Sequence, residues 1–255
     1  MSVSISLSLV RGPRVRSLRR VSVRFHGTVL VFGDSNTWGY DPNCEVSGSS
    51  GPRRIPHHRR WPTLLQTRLG EGLRVVDEGL NGRTTLLRDP SSPADGAYSC
   101  DGRRDLVQAL HSHKPLSAVV LALGTNDLKA RFNLSPADVA YNLRILVQEV
   151  RRGPEVALGF RRPPPVLLVG LPALRTTPLS SKWGFVEGSA ERAARANALI
   201  RAMADECEAG FADVSKEVSP SPADGVHYAE DAQPSIAAAV HGALVTLLAR
   251  PPESQ

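Results

Sequence analysis

Five residues of this 255-residue chain have the types and spacing that acyl transfer requires: Ser35, Gly82, Asn126, Asp224 and His227. A serine hydroxyl attacks an ester carbonyl only when a base takes its proton, an acid orients that base, and hydrogen-bond donors hold the oxyanion that forms. Ser35 stands in Val29-Leu-Val-Phe-Gly-Asp-Ser-Asn-Thr-Trp-Gly39, where a short apolar run delivers a serine to a polar, glycine-flanked turn. Ala223-Asp-Gly-Val-His227 supplies a base, His227, and three residues earlier an acid, Asp224, that can hold the imidazole Nδ1–H and stabilise the imidazolium. Leu80-Asn-Gly-Arg-Thr-Thr85 offers an unobstructed backbone N–H at Gly82, and Leu123-Gly-Thr-Asn-Asp127 a side-chain amide at Asn126. With the N–H of Ser35 itself, these make three oxyanion donors. Asp34 and Asp127 read as braces of their turns.

Two rival chemistries use a serine in such a turn. A phosphate-binding turn would want more glycines or a nearby lysine, and Asp34 would meet the phosphate as a like charge. An α/β-hydrolase elbow reads Gly-x-Ser-x-Gly, with its acid and histidine on separate loops. Here position 37 is Thr, and only two residues separate Asp224 from His227.

The elements that position these residues alternate. Apolar runs at Thr28 to Phe32, Leu73 to Val76, Ala118 to Leu123, Val166 to Gly170 and Gly210 to Val214 read as buried strands. Helical patterns fall at Pro62 to Leu69, Asp105 to His111, Pro136 to Arg151, Glu187 to Ala209 and Ser235 to Ala249. In the third of these, Val139, Leu143, Leu146, Val147 and Val150 share one face, and Ser135 is placed to cap it before Pro136. Alternating strands and helices imply a parallel sheet between two helix layers. The long irregular stretches Asp41 to Arg60, Leu87 to Arg104 and Leu171 to Phe185 are expected to wall the site.

Taken in order, the Ser35, Gly82, Asn126 and Asp224-x-x-His227 blocks resemble those of the SGNH hydrolases, also called GDSL esterases. The similarity runs from about Val29 to Leu248. It is strongest to the bacterial-type arylesterase and acyltransferase branch, whose signatures are similar to Glu78-Gly-Leu-Asn-Gly-Arg-Thr-Thr85 and Gly124-Thr-Asn-Asp-Leu-Lys129. The resemblance implies an α/β fold, a three-layer α/β/α flavodoxin-like sandwich with a five-stranded parallel sheet, spanning residues 28–250. It also implies a serine esterase for short-chain acyl esters that uses no metal or organic cofactor. The alternatives it leaves are an acyltransferase, a carbohydrate O-deacetylase, or a non-catalytic protein that binds an acylated ligand. By the same analogy, Trp38 and Tyr40 would line the acyl pocket. The chain departs from the family at Asn36, where many members carry leucine, and at Ala229 and Pro234, where the turn after His227 is irregular.

Composition excludes other classes. The net charge of +6 belongs to residues 1–27, whose six arginines face no acid; the other 25 basic residues equal the 25 acidic ones. The body therefore gives no charge argument for nucleic acid. The leader is expected to be unstructured, and its serine- and arginine-rich, acid-free make-up matches an organelle transit peptide, with a cytoplasmic protein as the alternative. Residues 251–255 read as a disordered tail. Apolar runs are strand-sized, too short for the roughly 20 residues of a membrane span. Cys44, Cys100 and Cys207 are odd in number and scattered, and read as reduced thiols. The expected partner is a small acyl ester, and a homo-oligomer is left open.

Overall fold

The structure, a computed structural model, describes residues 3–5, 21–23, 27–44, 53–89, 100–152 and 162–250. Two sheets are present among them. Strands β1 (Val3–Ile5) and β2 (Val21–Val23) pair antiparallel, Val3 opposite Val23 and Ile5 opposite Val21. The leader thus pairs at six residues where no structure is expected from its composition, and both segments alternate a β-branched residue with serine, the period of a strand. The rest of the leader and the tail 251–255 lie outside the described residues.

Strands β3 (Gly27–Gly33), β4 (Leu73–Gly79), β5 (Ala118–Ala122), β6 (Val166–Val169) and β7 (Gly210–Ala212) form a five-stranded parallel sheet in the order β4-β3-β5-β6-β7. Their side chains alternate between two cores. Leu30, Phe32, Val119, Leu121, Val166 and Leu168 point to one, and Val29, Val31, Ala118, Val120, Leu167 and Val169 to the other. Both faces are covered, which is why these strands read as continuous apolar runs rather than alternating ones. Edge strand β4 runs three residues past its apolar part, through Asp77, Glu78 and Gly79, because an edge tolerates polar side chains.

Helices α3 (Gly102–His113), α4 (Pro136–Arg151) and α6 (Ser189–Glu206) cover the first face. Helices α2 (Trp61–Leu69) and α7 (Gln233–Leu248) cover the second. This is the expected three-layer sandwich. Helix α4 buries Val139, Leu143, Leu146, Val147 and Val150, the face read from their spacing, together with Ala140. Its start is a reciprocal capping box: Ser135 Oγ accepts from the Asp138 N–H at 3.2 Å, and Asp138 Oδ2 accepts from the Ser135 N–H at 2.8 Å.

The chain reverses its sheet-building direction between β3 and β5, and open α/β sheets leave a crevice at the carboxyl ends of strands at such a point. Ser35 follows β3 on a one-turn helix, α1 (Ser35–Trp38), and Asn126 follows β5. Gly79 lets α1 sit directly on the end of β4: a Cβ there would fall 2.2 Å from the Trp38 backbone nitrogen.

Helix α4 gives a direct check of this packing. Leu146→Ala is expected to lower unfolding stability by about 2–5 kcal/mol, since its side chain is fully buried. Tyr141→Ser, on the exposed face of the same helix at 62% exposure, should change it by about 0.5 kcal/mol or less. Urea unfolding of both variants measures the contrast, and equal effects would contradict the assigned faces.

Candidate active site

Ser35 is the first residue of α1, where a backbone N–H has no partner within the helix. The N-cap before it is Asp34, whose Oδ1 accepts from the Asn36 N–H at 2.9 Å. Asp34 is buried, and that burial pushes its carboxyl above the usual range while the Asn36 N–H pulls it back. It braces the turn.

His227 comes from the loop before α7. Its Nε2 lies 2.8 Å from Ser35 Oγ, and its Nδ1 lies 2.7 Å from Asp224 Oδ2. The other oxygen of Asp224 accepts from the backbone N–H groups of Val226 at 2.8 Å and His227 at 2.9 Å. One carboxylate therefore folds its own loop and orients the ring that the loop carries. All three residues are buried, Asp224 completely. The irregular turn after His227 is resolved by where α7 begins: Pro234 falls in its first turn, where a missing N–H breaks no helical bond. Gln233 then holds the turn, donating to the carbonyls of Tyr228 at 3.1 Å and Ala229 at 3.4 Å.

A cavity of about 140 Å³ opens in front of this line. Ser35, Gly82, Asn126 and His227 line it together with Tyr40, Asn81, Lys129, Trp183, Phe185 and Val226. Gly82 has φ +79°, a left-handed conformation that favours glycine. Asn126 donates one Nδ2 hydrogen to the Arg83 carbonyl at 3.0 Å, and a primary amide has a second to offer. The Gly82 loop is tied down behind the cavity. Arg83, almost completely buried, donates from Nη1 to the carbonyl of Gly33 at 2.9 Å and to that of Glu78, lies 3.4 Å from Asp105, and covers the Phe32 ring at 4.1 Å. Burial holds its guanidinium below the usual arginine range, with Asp105 acting against that shift.

Tyr40 stacks on the His227 ring, with centroids 4.2 Å apart and planes 26° apart; Trp183 meets the same ring edge-on at 5.4 Å. Tyr40 lies on the cavity wall. Trp38 is not on that wall: its ring lies beneath the Arg54 guanidinium at 4.8 Å, and its carbonyl accepts from Arg54 Nε at 2.6 Å. Trp183 and Phe185, from the stretch Leu171 to Phe185, supply the apolar wall instead. Among the described residues, the other two irregular stretches contribute nothing to it. Positions 45–52 and 90–99 lie outside the described residues. Lys129, which carries no signal of its own in the sequence beyond its place in the Asn126 block, reaches the cavity with its ammonium 3.6 Å from Asp89; burial pushes that ammonium below the usual lysine range. Among the described residues, no cluster of three or more His, Cys, Asp or Glu could hold a metal ion.

Residues 31–241 match the model of the GDSL-like Lipase/Acylhydrolase family. The chain belongs to that family. It is a hydrolase of the esterase type. A carbohydrate acetylesterase family member from Sinorhizobium meliloti is 32% identical, with a TM-score of 0.76 over 87% of this chain and 99% of that one. The native aryl esterase of M. smegmatis is 31% identical, with the same TM-score and the same coverage. No curated protein matches. Among the described residues, no helix is long and apolar enough to cross a membrane.

In this esterase, Asp127 is the brace read from the sequence. Its carboxylate accepts from the Thr85 N–H at 3.0 Å and from the Thr85 hydroxyl, so it pins the Asn126 turn to the Gly82 loop. Burial raises its carboxyl from 3.8 to about 6, against the opposing pull of Thr85. The native state therefore keeps this proton over a window in which the unfolded chain has lost it. The group's contribution is full below the unfolded value and is lost as pH rises through the folded one, by up to about 3 kcal/mol. Asp127→Asn is expected to remove that component: between about pH 4 and pH 7, urea-unfolding stability of the wild type should fall relative to the variant. Parallel curves would show that the carboxyl titrates normally.

Proposed function

We propose that Ser35, His227 and Asp224 act as nucleophile, base and orienting acid in cleaving short-chain acyl esters by a ping-pong route. The observation that carries this reading is the unbroken hydrogen-bond line from Ser35 Oγ through His227 to Asp224, facing the cavity that Gly82 and Asn126 also line. Ser35 Oγ attacks the ester carbonyl carbon as its proton passes to His227 Nε2. The carbonyl oxygen becomes an oxyanion held by the N–H groups of Ser35 and Gly82 and by the Asn126 amide. Collapse breaks the ester C–O bond, and the imidazolium returns its proton to the leaving alkoxide. Water then enters, gives a proton to His227, attacks the acyl-enzyme and releases the acid.

Two observations support a short acyl group, the roughly 140 Å³ of the cavity and its lining by Tyr40, Trp183 and Phe185. The likeness to a carbohydrate acetylesterase supports acetyl esters of sugars as a substrate class. Assay of acetate, butyrate and octanoate p-nitrophenyl esters beside acetylated sugars separates these readings, and added alcohol reveals any acyl transfer. The basic, serine-rich start supports a leader that directs the chain to an organelle. A fluorescent fusion of residues 1–27 that stays diffuse in the cytosol would remove that reading.

Ser35→Ala and His227→Ala should each lower turnover by several orders of magnitude, and Asp224→Asn by roughly a thousandfold or more. A fluorophosphonate should label the wild type and leave Ser35→Ala unlabelled. Because the base works only when neutral, activity should fall on acidification. Absence of labelling, or a profile with no acid limb, would overturn the assignment.

A further inference from the structure

Asn36 follows the nucleophile directly. Its side chain points away from solvent-facing duties and across the site: Oδ1 accepts from the Tyr228 N–H at 3.1 Å, and Nδ2 donates to the Val226 carbonyl at 3.4 Å. Those are the two residues on either side of His227. The backbone carbonyl of Asn36 accepts from Trp61 Nε1 at 3.1 Å, and the Trp61 N–H donates to Gln233 Oε1 at 3.0 Å. Gln233 Nε2 in turn donates to the Tyr228 carbonyl at 3.1 Å. The four residues close a ring of hydrogen bonds, Asn36 to Tyr228 to Gln233 to Trp61 and back to Asn36, that joins α1, the start of α2, the start of α7 and the base loop.

Building on the esterase reading above, we infer that Asn36 is a positioning residue whose amide clamps the backbone on both sides of His227 and so sets the distance between base and nucleophile. The division of labour follows from the partners. Asp224 fixes the rotation of the imidazole and the shape of its loop, but every one of its bonds to the base loop lies within that loop. Outside the loop, the Asp224 carbonyl accepts from Thr177 Oγ1 at 2.9 Å and the Gly225 carbonyl from the Arg175 N–H at 2.8 Å, which ties the loop to residues 175–177 and not to the turn of Ser35, 192 residues from His227 in the chain. Asn36 supplies that link from the residue adjoining the nucleophile, so its reach to Tyr228 and Val226 is tied to the position of Ser35 itself. Asp34 anchors the near end by capping the Asn36 N–H at 2.9 Å. A leucine of the same branched shape has neither donor nor acceptor and would leave the register of the two pieces to apolar packing.

The test compares Asn36→Leu, which keeps the branched shape and the number of heavy atoms, with Asn36→Ala, which removes the side chain without a clash. Both should lower kcat by about 10- to 100-fold, the scale of a catalytic group displaced by about an ångström, with KM within about threefold of wild type. Rates of fluorophosphonate labelling should fall in parallel, and crystal structures of both variants should show residues 224–228 shifted relative to Ser35. Two results would overturn the inference: kcat within about twofold of wild type in both variants, or loss of activity that only tracks a loss of folded protein. Failure of the esterase reading looks different, since the wild type would then neither turn over ester nor accept the label. The clamp is judged in that case on the crystal structures alone, and an unmoved base loop in Asn36→Leu refutes it.

Discussion

A contact of 2.8 Å between Ser35 Oγ and His227 Nε2 joins residues 192 positions apart in the chain, and most of the local structure is organised around holding it. Proton transfer depends steeply on such a distance, and a productive constellation must be kept within about half an ångström. The two partners start from unequal footings. Ser35 stands at the end of β3, a strand buried on both faces and paired on both sides, so its position is inherited from the centre of the sheet. His227 stands on a loop, the class of segment that moves most. The loop is accordingly bound from four directions: inward by Asp224, from the nucleophile's side by Asn36, from the start of α7 by Gln233, and from residues 175–177 through the carbonyls of Asp224 and Gly225.

The same logic explains why the floor of the site is rich in buried charge. Asp34, Arg83, Asp127 and Asp224 lie within or beneath the catalytic turns, nearly or wholly inaccessible to water. An unpaired ion in such a place is costly, and a pair of ions there is often no better than an apolar substitute. Their value is directional. Each accepts or donates to backbone groups that fix a turn: Asp34 to the α1 start, Arg83 to the ends of β3 and β4, Asp127 to the Gly82 loop, and Asp224 to the His227 loop. Leucine at these positions would fill space and leave turn N–H groups and carbonyls unpaired. Geometry is obtained at the expense of some stability, as the raised carboxyls of Asp34 and Asp127 record.

What could be read from the sequence follows the range of the interaction involved. Strands covered on both faces appear as unbroken apolar runs, so their positions were plain, and the periodic face of α4 with its Ser135 cap was equally local. The residues of the hydrogen-bond line were legible because their turn chemistry is local too: Asp224 and His227 are three residues apart, and Ser35 closely follows a strand. The aromatic wall was not. Trp38 and Trp183 carry the same chemistry in the sequence, and only the fold decides that Arg54 covers the first while the second faces His227. Asn36 and Gln233 were opaque for a related reason. An amide among polar turn residues gives no sign of its partner, and theirs lie across the junction of α1, α2 and α7. The short α5 (Pro178–Lys182), which ends at Trp183, lies inside a stretch with too few apolar positions to register as periodic.

The aromatic contacts to His227 raise a question of magnitude. When the serine proton reaches Nε2 the ring becomes a cation, and both Asp224 and the faces of Tyr40 and Trp183 stabilise a cation in principle. A cation–π contact is worth about 0.5–2 kcal/mol, whereas a buried, charge-assisted hydrogen bond to a carboxylate is roughly twice as strong as a neutral one and acts at 2.7 Å rather than at the 4.2 Å of the ring stack. Asp224 therefore dominates the charge stabilisation. The aromatics supply the smaller share of the charge stabilisation. Their larger contribution is steric and dielectric: Tyr40, stacked at 4.2 Å, limits tilting of the ring, and with Trp183 it lowers the local dielectric in which the buried Asp224–His227 pair operates.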